Sequence, residues 1–153
     1  MKRRVLGNNF DVSAQGLGCM GMSQSYGEAD QAEAEATLLR ALDLGITFFD
    51  TADVYGDGTS ESFLGEAIGK RRAQVVIATK FGWGSPSGAS RRTIARTVEA
   101  SLKRLRTDYI DILYLHKEDH GTPLEVTVRL TASQAPAKSP FRRRLSCSTD
   151  PAR

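Results

Sequence analysis

The sequence predicts an α/β fold in which short parallel strands alternate with amphipathic helices. Three β-favouring runs each end at an ionisable residue: 46–49 at Asp50, 75–79 at Lys80 and 109–115 at His116. These three residues stand 30 and 36 positions apart, which is the length that a strand–helix–strand unit needs. Apolar residues at helical spacing fill the intervals, so the units are expected to be consecutive and parallel.

Local signals predict where the elements begin and end. Residues 12–21 indicate a short buried strand that runs into a glycine-rich loop. Asp30, followed three residues later by Glu33, predicts the start of a first helix, and Gly45 predicts its end. Ser60 and Ser90 are the predicted N-caps of the second and third helices.

Length and composition indicate one globular domain at most. The chain has 153 residues, of which 40% are hydrophobic and 25% charged. It has no apolar run long enough to span a membrane and no N-terminal apolar segment typical of a secretory signal. Its two cysteines, Cys19 and Cys147, are too few and too distant for a disulfide framework or a paired-cysteine metal site. A cytoplasmic protein without a metal centre is therefore expected.

The positive charge is concentrated at the C-terminus. Residues 1–128 carry 15 Lys and Arg against 17 Asp and Glu, whereas residues 129–153 carry 6 against 1. This tail also holds three of the five prolines and lacks an apolar period, which is typical of disorder. Nucleic-acid binding through the run 142–144 has little support, because a short basic run in a tail is usually solvated charge.

Four polar side chains are expected to converge at one edge of the sheet. Asp50, Lys80 and His116 end strands, and Tyr55 closely follows the first of these. In parallel sheets the active site forms at the carboxyl ends of the strands. A tyrosine has an ordinary pKa of about 10, and a nearby ammonium group favours its phenolate. The set lacks a strong nucleophile, so it suits protonating an oxygen while a hydride attacks the carbon.

Five segments in order resemble the aldo/keto reductase family. They are Gly16-Leu17-Gly18-Cys19-Met20-Gly21-Met22-Ser23, Phe49-Asp50-Thr51-Ala52-Asp53-Val54-Tyr55-Gly56, Ser60-Glu61-Ser62-Phe63-Leu64-Gly65, Ala78-Thr79-Lys80-Phe81-Gly82 and Asp111-Ile112-Leu113-Tyr114-Leu115-His116. The resemblance covers about residues 3–127. It implies a (β/α)8 barrel of the TIM type, preceded by a small hairpin formed by residues 4–6 and 12–14.

The resemblance also implies a reaction and a role for each site residue. The reaction is the NADPH-dependent reduction of an aldehyde or ketone to an alcohol. Tyr55 would be the general acid, Lys80 would lower its pKa, Asp50 would pair with Lys80, and His116 would orient the carbonyl. The loop around Cys19 and Met20, together with Asp50, would lie against the nicotinamide. Trp83 would face the substrate or, equally, cover the barrel mouth as a packing aromatic.

The chain departs from the family in length. A complete barrel takes roughly 250 residues, and here only the hairpin and about four βα units, within residues 1–128, match the pattern. The switch at about residue 129 is what a shifted reading frame or a prematurely ended gene would produce. An alternative to the reductase is therefore an inactive fragment that at most binds a partner. Open sheet edges would then favour self-association.

Overall fold

The computed structural model describes residues 1–7, 10–25, 27, 30–83, 91–117, 123 and 125–127. The predicted cap Ser90 and the predicted tail 129–153 lie outside the described residues. Among the helices that are described, none is both long enough and apolar enough to cross a bilayer.

A hairpin opens the chain, as predicted. Strands β1 (Arg3–Leu6) and β2 (Phe10–Ser13) pair antiparallel, with Arg3 opposite Ser13 and Leu6 opposite Phe10. All of β1 is exposed, while Phe10 and Val12 of β2 are buried. The hairpin therefore contributes one apolar face to the rest of the fold.

Four parallel strands follow in sequence order. They are β3 (Gly16–Gly18), β4 (Phe48–Asp50), β5 (Val76–Phe81) and β6 (Ile112–Leu115). The register places Leu17, Phe49 and Ile77 side by side and sets Lys80 opposite Tyr114. The three predicted strands that end at ionisable residues are present, although β4 and β6 begin two to three residues later than the β-favouring runs. The single buried strand expected within residues 12–21 is instead divided between the end of β2 and β3, whose glycines are exposed. Their ends at Asp50 and beside His116 agree with the prediction, whereas β5 runs one residue past Lys80.

Three α-helices connect the strands: α1 (Gln31–Asp43), α2 (Thr59–Ile68) and α3 (Arg91–Arg104). Short 3₁₀ segments occupy Met20–Met22 and Gly69–Gln74. The start of α1 is as predicted, because Asp30 Oδ1 accepts hydrogen bonds from the amides of Ala32 (2.7 Å) and Glu33 (3.2 Å). Gly45, with φ of 82°, follows the last turn.

The predicted cap at Ser60 is wrong. Helix α2 begins at Thr59 and its N-cap is Gly58, two residues before Ser60; Gly58 is left-handed (φ 85°) and contributes no side chain. The Ser60 hydroxyl is buried and is used elsewhere, against Thr51 Oγ1 (2.9 Å) and the Cys19 carbonyl (3.1 Å). A serine at a helix start indicates a cap only while its hydroxyl has no stronger tertiary partner.

The apolar residues divide between the two faces of the sheet. On the helix side, the buried core includes Leu38, Phe49, Leu64, Ile77 and Leu105. On the opposite face, Phe10 and Val12 of the hairpin pack on Ala78 and Ile112. Both faces of the sheet are thus covered at the strand beginnings, as a parallel sheet requires. The strand ends are left for polar residues.

An arginine clamp joins β5 and β6 on the side away from those strand ends. Arg72 Nη2 donates to Asp111 Oδ2 (2.7 Å) and to the Tyr109 carbonyl (3.0 Å), and Nη1 donates to the Val75 carbonyl (3.1 Å). Asp111 Oδ2 also accepts from the amide of Ile77 (2.9 Å). The side chains of Arg72 and Asp111 are only 13% and 5% exposed, so this ion pair fixes the starts of both strands in a largely dry environment.

Replacing Arg72 with Ala should destabilise the fold by about 3 to 5 kcal/mol, because the buried carboxylate of Asp111 would lose its positively charged partner. Urea denaturation followed by circular dichroism measures the change. The matched control is Arg3→Ala, because Arg3 pairs with Asp11 at 2.6 Å on the surface, with side chains 48% and 53% exposed. That pair should be worth about 1 kcal/mol or less. Equal effects of the two substitutions would contradict the structural role assigned to Arg72.

Candidate active site

Lys80 is the central residue of the polar cluster at the strand ends. It lies on β5, and its ammonium Nζ donates to Asp50 Oδ1 (2.5 Å), to the Thr51 carbonyl (2.8 Å) and to Tyr55 Oη (3.2 Å). The Lys80 side chain is 16% exposed and that of Asp50 is 38% exposed. All three N–H donors of the ammonium are thus satisfied, which fixes its position beneath the phenol.

Tyr55 is carried by a tight turn between β4 and α2. Gly56, Asp57 and Gly58 all have positive φ, between 53° and 85°, and this left-handed run turns the chain into the helix. A Cβ on Gly56 would lie 2.9 Å from Cβ of Ser23. The turn is therefore packed closely against the loop that follows β3, and Ser23 leaves no room for a side chain at Gly56.

His116 and Trp83 line the side of the site opposite Asp50. The His116 ring meets the Tyr55 ring edge to face at 5.8 Å, and the Trp83 ring lies 4.9 Å from that of His116. Trp83 is 54% exposed, and Lys117 Nζ lies 5.7 Å from its ring centre. The sequence-predicted residues Tyr55, Lys80, His116 and Trp83 therefore share one site with Asp50.

The protonation of His116 is shifted towards the neutral form. Burial, with a further contribution from the Lys80 ammonium, lowers the pKa of His116 below its ordinary value of 6.5. Its Nδ1 is buried and has no hydrogen-bond partner among the described residues. At neutral pH this side chain is an uncharged imidazole, which has a single N–H to donate.

The loop after β3 is joined to the end of β4 through its backbone. The amide of Cys19 donates to the Asp50 carbonyl at 2.8 Å, and Met20 is half-buried at the next position. The Cys19 side chain is fully buried in the helix-side core, and burial raises the pKa of its thiol to about 12. The Cys19 thiol is thus enclosed in the core, and the expected contact of Cys19 and Met20 with a nicotinamide stays a prediction.

Sequence reasoning missed a group of buried polar residues behind the site. Glu61 has a side-chain exposure of 0%, accepts from Thr79 Oγ1 (2.6 Å) and pairs with Arg104 (2.6 Å). Asp53 lies nearby, and its Oδ1 is buried without a partner in the described part of the chain. The signal was available for Glu61, because it stands three and seven residues before Leu64 and Ile68 on the buried stripe of α2.

Asp53 carries a strongly perturbed carboxyl group. Burial, reinforced by the negative charge of Glu61, raises the pKa of Asp53 from 3.8 to about 6. Arg104 opposes this shift but is already paired with Glu61. One guanidinium therefore serves two carboxylates, and Asp53 is the one left poorly compensated.

A family model described as the aldo/keto reductase family matches residues 15–134, which is more than half of the chain. The chain belongs to the aldo/keto reductase family. This confirms the resemblance inferred from the five sequence segments, all of which lie within the matched range.

Two relatives among curated proteins carry a different description. A "Probable voltage-gated potassium channel subunit beta" of Arabidopsis thaliana is 46% identical over 109 residues, which are 67% of this chain and 33% of that protein. A protein of Oryza sativa subsp. japonica with the same description is 43% identical over 109 residues, with the same coverage. The chain thus spans about a third of the length of these curated relatives.

Solved aldo/keto reductases confirm the fold class. An aldo-keto reductase of Bacillus halodurans, in its holo form, is 36% identical with a TM-score of 0.75, covering 87% of this chain and 46% of that one. A thermostable aldo-keto reductase in complex with the inhibitor epalrestat is 33% identical with a TM-score of 0.75, covering 87% and 49%. These neighbours are (β/α)8 barrels, and the described residues form part of such a barrel.

Asp53→Asn should stabilise the protein above pH 7 and lose this advantage on acidification. The folded state keeps the Asp53 proton up to about pH 6, whereas an unfolded carboxyl releases it near 3.8. Ionisation of Asp53 therefore opposes folding increasingly from about pH 3.8 to about pH 6 and fully above that, by about 1 kcal/mol or more after allowing for solvent screening, so part of the effect is already present at pH 5. Urea denaturation at pH 5 and pH 8 measures the difference.

The matched control for this prediction is Asp57→Asn, because Asp57 is exposed in the same turn. Its effect on stability should change little between the two pH values. A gain for Asp53→Asn that is the same at pH 5 and pH 8 would show that ionisation of Asp53 does not oppose folding.

Proposed function

We propose that this chain carries the proton-donating centre of an NADPH-dependent aldo/keto reductase that reduces an aldehyde or ketone to an alcohol. The observation that supports this most directly is the set of three hydrogen bonds from Lys80 Nζ to Asp50, Thr51 and Tyr55. These bonds join an ammonium to a phenol at the carboxyl ends of the parallel strands, called the mouth of the sheet below. Parallel α/β folds place their active sites at this edge, and the chain belongs to a family of reductases.

Tyr55 is the proposed general acid. Its hydroxyl would donate a proton to the carbonyl oxygen as the carbonyl carbon accepts a hydride, which leaves an alcohol and a phenolate. The Lys80 ammonium, 3.2 Å from the phenol oxygen, would stabilise the negative charge that remains there. Asp50 and Thr51 hold the ammonium in place, so this stabilisation requires no rearrangement during the reaction.

His116 and Trp83 are proposed to position the substrate. A neutral imidazole at His116 would donate its N–H to the carbonyl oxygen next to Tyr55 Oη, without competing with Lys80 for the phenolate. Trp83 extends from His116 and is about half exposed, so it offers a flat apolar surface at the outer side of the mouth. Together they would hold the carbonyl oxygen within reach of the phenol.

The donor set at the mouth fits a reduced nicotinamide. It provides a proton donor in Tyr55 and polar groups that can orient an oxygen. Met20 and Asp50 would hold the nicotinamide end, because Asp50 ends β4 opposite Gly18 of β3, and Met20 follows Gly18 by two residues. When bound, NADPH supplies the hydride.

Saturable NADPH binding is expected from the purified chain. Quenching or enhancement of NADPH fluorescence in a titration measures it, and NADH serves as the comparison for cofactor preference. Light scattering on the same sample tests the self-association predicted from the sheet edges. Absence of any saturable signal would favour the alternative, a chain that retains the reductase motifs without the activity.

Tyr55→Phe should lower kcat for aldehyde reduction by about a hundredfold or more, since a positioned general acid contributes about 10² to 10⁴. NADPH consumption at 340 nm with an aromatic aldehyde measures this, and NADPH affinity should remain unchanged. The control is Tyr109→Phe, which makes the same chemical change three residues before β6, at the opposite end of the strands from the site. Full activity of Tyr55→Phe would overturn the assignment of the acid.

A further inference from the structure

Glu61 is a buried charge directly behind the site. Its side chain is completely inaccessible, and both carboxylate oxygens are engaged. Oε1 accepts from Thr79 Oγ1 (2.6 Å), and Oε2 accepts from Arg104 Nε (2.7 Å) and forms an ion pair with Arg104 Nη2 (2.6 Å). Burying an ion pair is costly, and well-packed apolar residues often serve stability equally well. The specific bonding of both carboxylate oxygens therefore indicates that Glu61 has a role other than stabilising the fold.

The Thr79 contact acts on the residue next to Lys80. Successive side chains of a strand point to opposite faces, so Thr79 lies on the helix side of β5 while Lys80 enters the mouth. The Lys80 carbonyl also accepts from the amide of Asp53 at 3.3 Å. The hydrogen bond from Thr79 to Glu61 thus fixes the position and rotation of β5 at the point where Lys80 leaves it.

The same carboxylate belongs to the helix that directly follows the turn carrying Tyr55. Glu61 lies in the first turn of α2, and the amide of its neighbour Ser60 donates to the Tyr55 carbonyl at 3.2 Å. Arg104 passes across the preceding turn, since a Cβ on Gly58 would lie 2.6 Å from Arg104 Cδ. Glu61, Arg104 and the Tyr55 turn are therefore locked together as one unit.

We propose that Glu61 is a positioning residue that sets the separation between Lys80 Nζ and Tyr55 Oη, through Thr79 on one side and the start of α2 on the other. This inference rests on the proposed function, in which that pair transfers the proton. The Lys80–Tyr55 contact, at 3.2 Å, is at the long end of the hydrogen-bond range. A displacement of about 1 Å would break it, and misplacements of that size cost enzymes roughly a hundredfold in rate.

Thr79→Val, Thr79→Ser and Thr107→Val form a matched set. Thr79→Val keeps the shape and removes the donor to Glu61, and Thr79→Ser keeps the hydroxyl. Thr107→Val makes the same change where Thr107 Oγ1 accepts from Arg72 Nε at 3.1 Å, in the clamp at the strand beginnings. Thr79→Val should lower kcat by about ten- to a hundredfold with KM nearly unchanged, while the other two variants retain kcat.

A second pair of variants tests Glu61 itself. Glu61→Gln keeps an oxygen that can accept from Thr79, so it should retain kcat while losing stability with its charge. Glu61→Leu removes the acceptor and should match Thr79→Val in kcat. Because Glu61→Leu also deprives Arg104 of its partner, the Thr79 variants decide the question if that protein is insoluble. Equal kcat in Thr79→Val and Thr107→Val would overturn the proposal.

A spectroscopic measurement separates this inference from the proposed function. The ¹³Cζ resonance of Tyr55, assigned with Tyr55→Phe in protein labelled at tyrosine, responds to the hydrogen bond from Lys80 without any turnover. Thr79→Val should shift this resonance, and Thr107→Val should leave it in place. A shift in a protein that reduces no carbonyl would support the positioning role while the reductase proposal fails. An unchanged resonance would reject the positioning role, whatever the activity.

Discussion

Three hydrogen bonds from the Lys80 ammonium connect β5 to the end of β4 and to the turn that follows it. Each acceptor is of a different kind: a carboxylate at Asp50, a main-chain carbonyl at Thr51 and a phenol at Tyr55. A half-buried ammonium with all its donors satisfied is stable only if those acceptors stay in place. The geometry of the whole mouth therefore follows from how the two strands and the turn are held.

The residues that stabilise the fold and the residues that form the site lie at opposite ends of the strands. At the strand beginnings, the hairpin residues Phe10 and Val12 fill the inner face, and the Arg72–Asp111 pair joins β5 to β6. At the strand ends, apolar side chains give way to polar and aromatic ones. A parallel sheet produces this division naturally, because all its strands point the same way and their ends form a single edge.

A buried ion pair lies on the helix side of the sheet, behind the site. Glu61 and Arg104 join α2, α3 and β5 behind the mouth, and they leave Asp53 without full compensation. Such an arrangement costs stability at neutral pH, since an uncompensated carboxylate is destabilising in a partly buried position. Strain of this kind is common where a fold must hold catalytic groups in fixed positions.

The sequence by itself determined the fold class, the strand ends and the candidate residues Asp50, Tyr55, Lys80 and His116. It could do so because strand and helix periodicities are local, and because an ionisable residue at the end of a β-favouring run can be recognised from the sequence alone. The cap of α1 at Asp30 was predictable for the same reason: its partners are two and three residues away.

Only the tertiary structure decided which polar groups meet across distant segments. The Ser60 hydroxyl, expected to cap α2, bonds instead to Thr51 and to the carbonyl of Cys19, 41 residues away. The link between Glu61 and Arg104 spans 43 residues, and the burial that raises the pKa of Asp53 arises from elements far apart in the chain. Hydrogen-bond partners and desolvation depend on three-dimensional proximity, which no local pattern encodes.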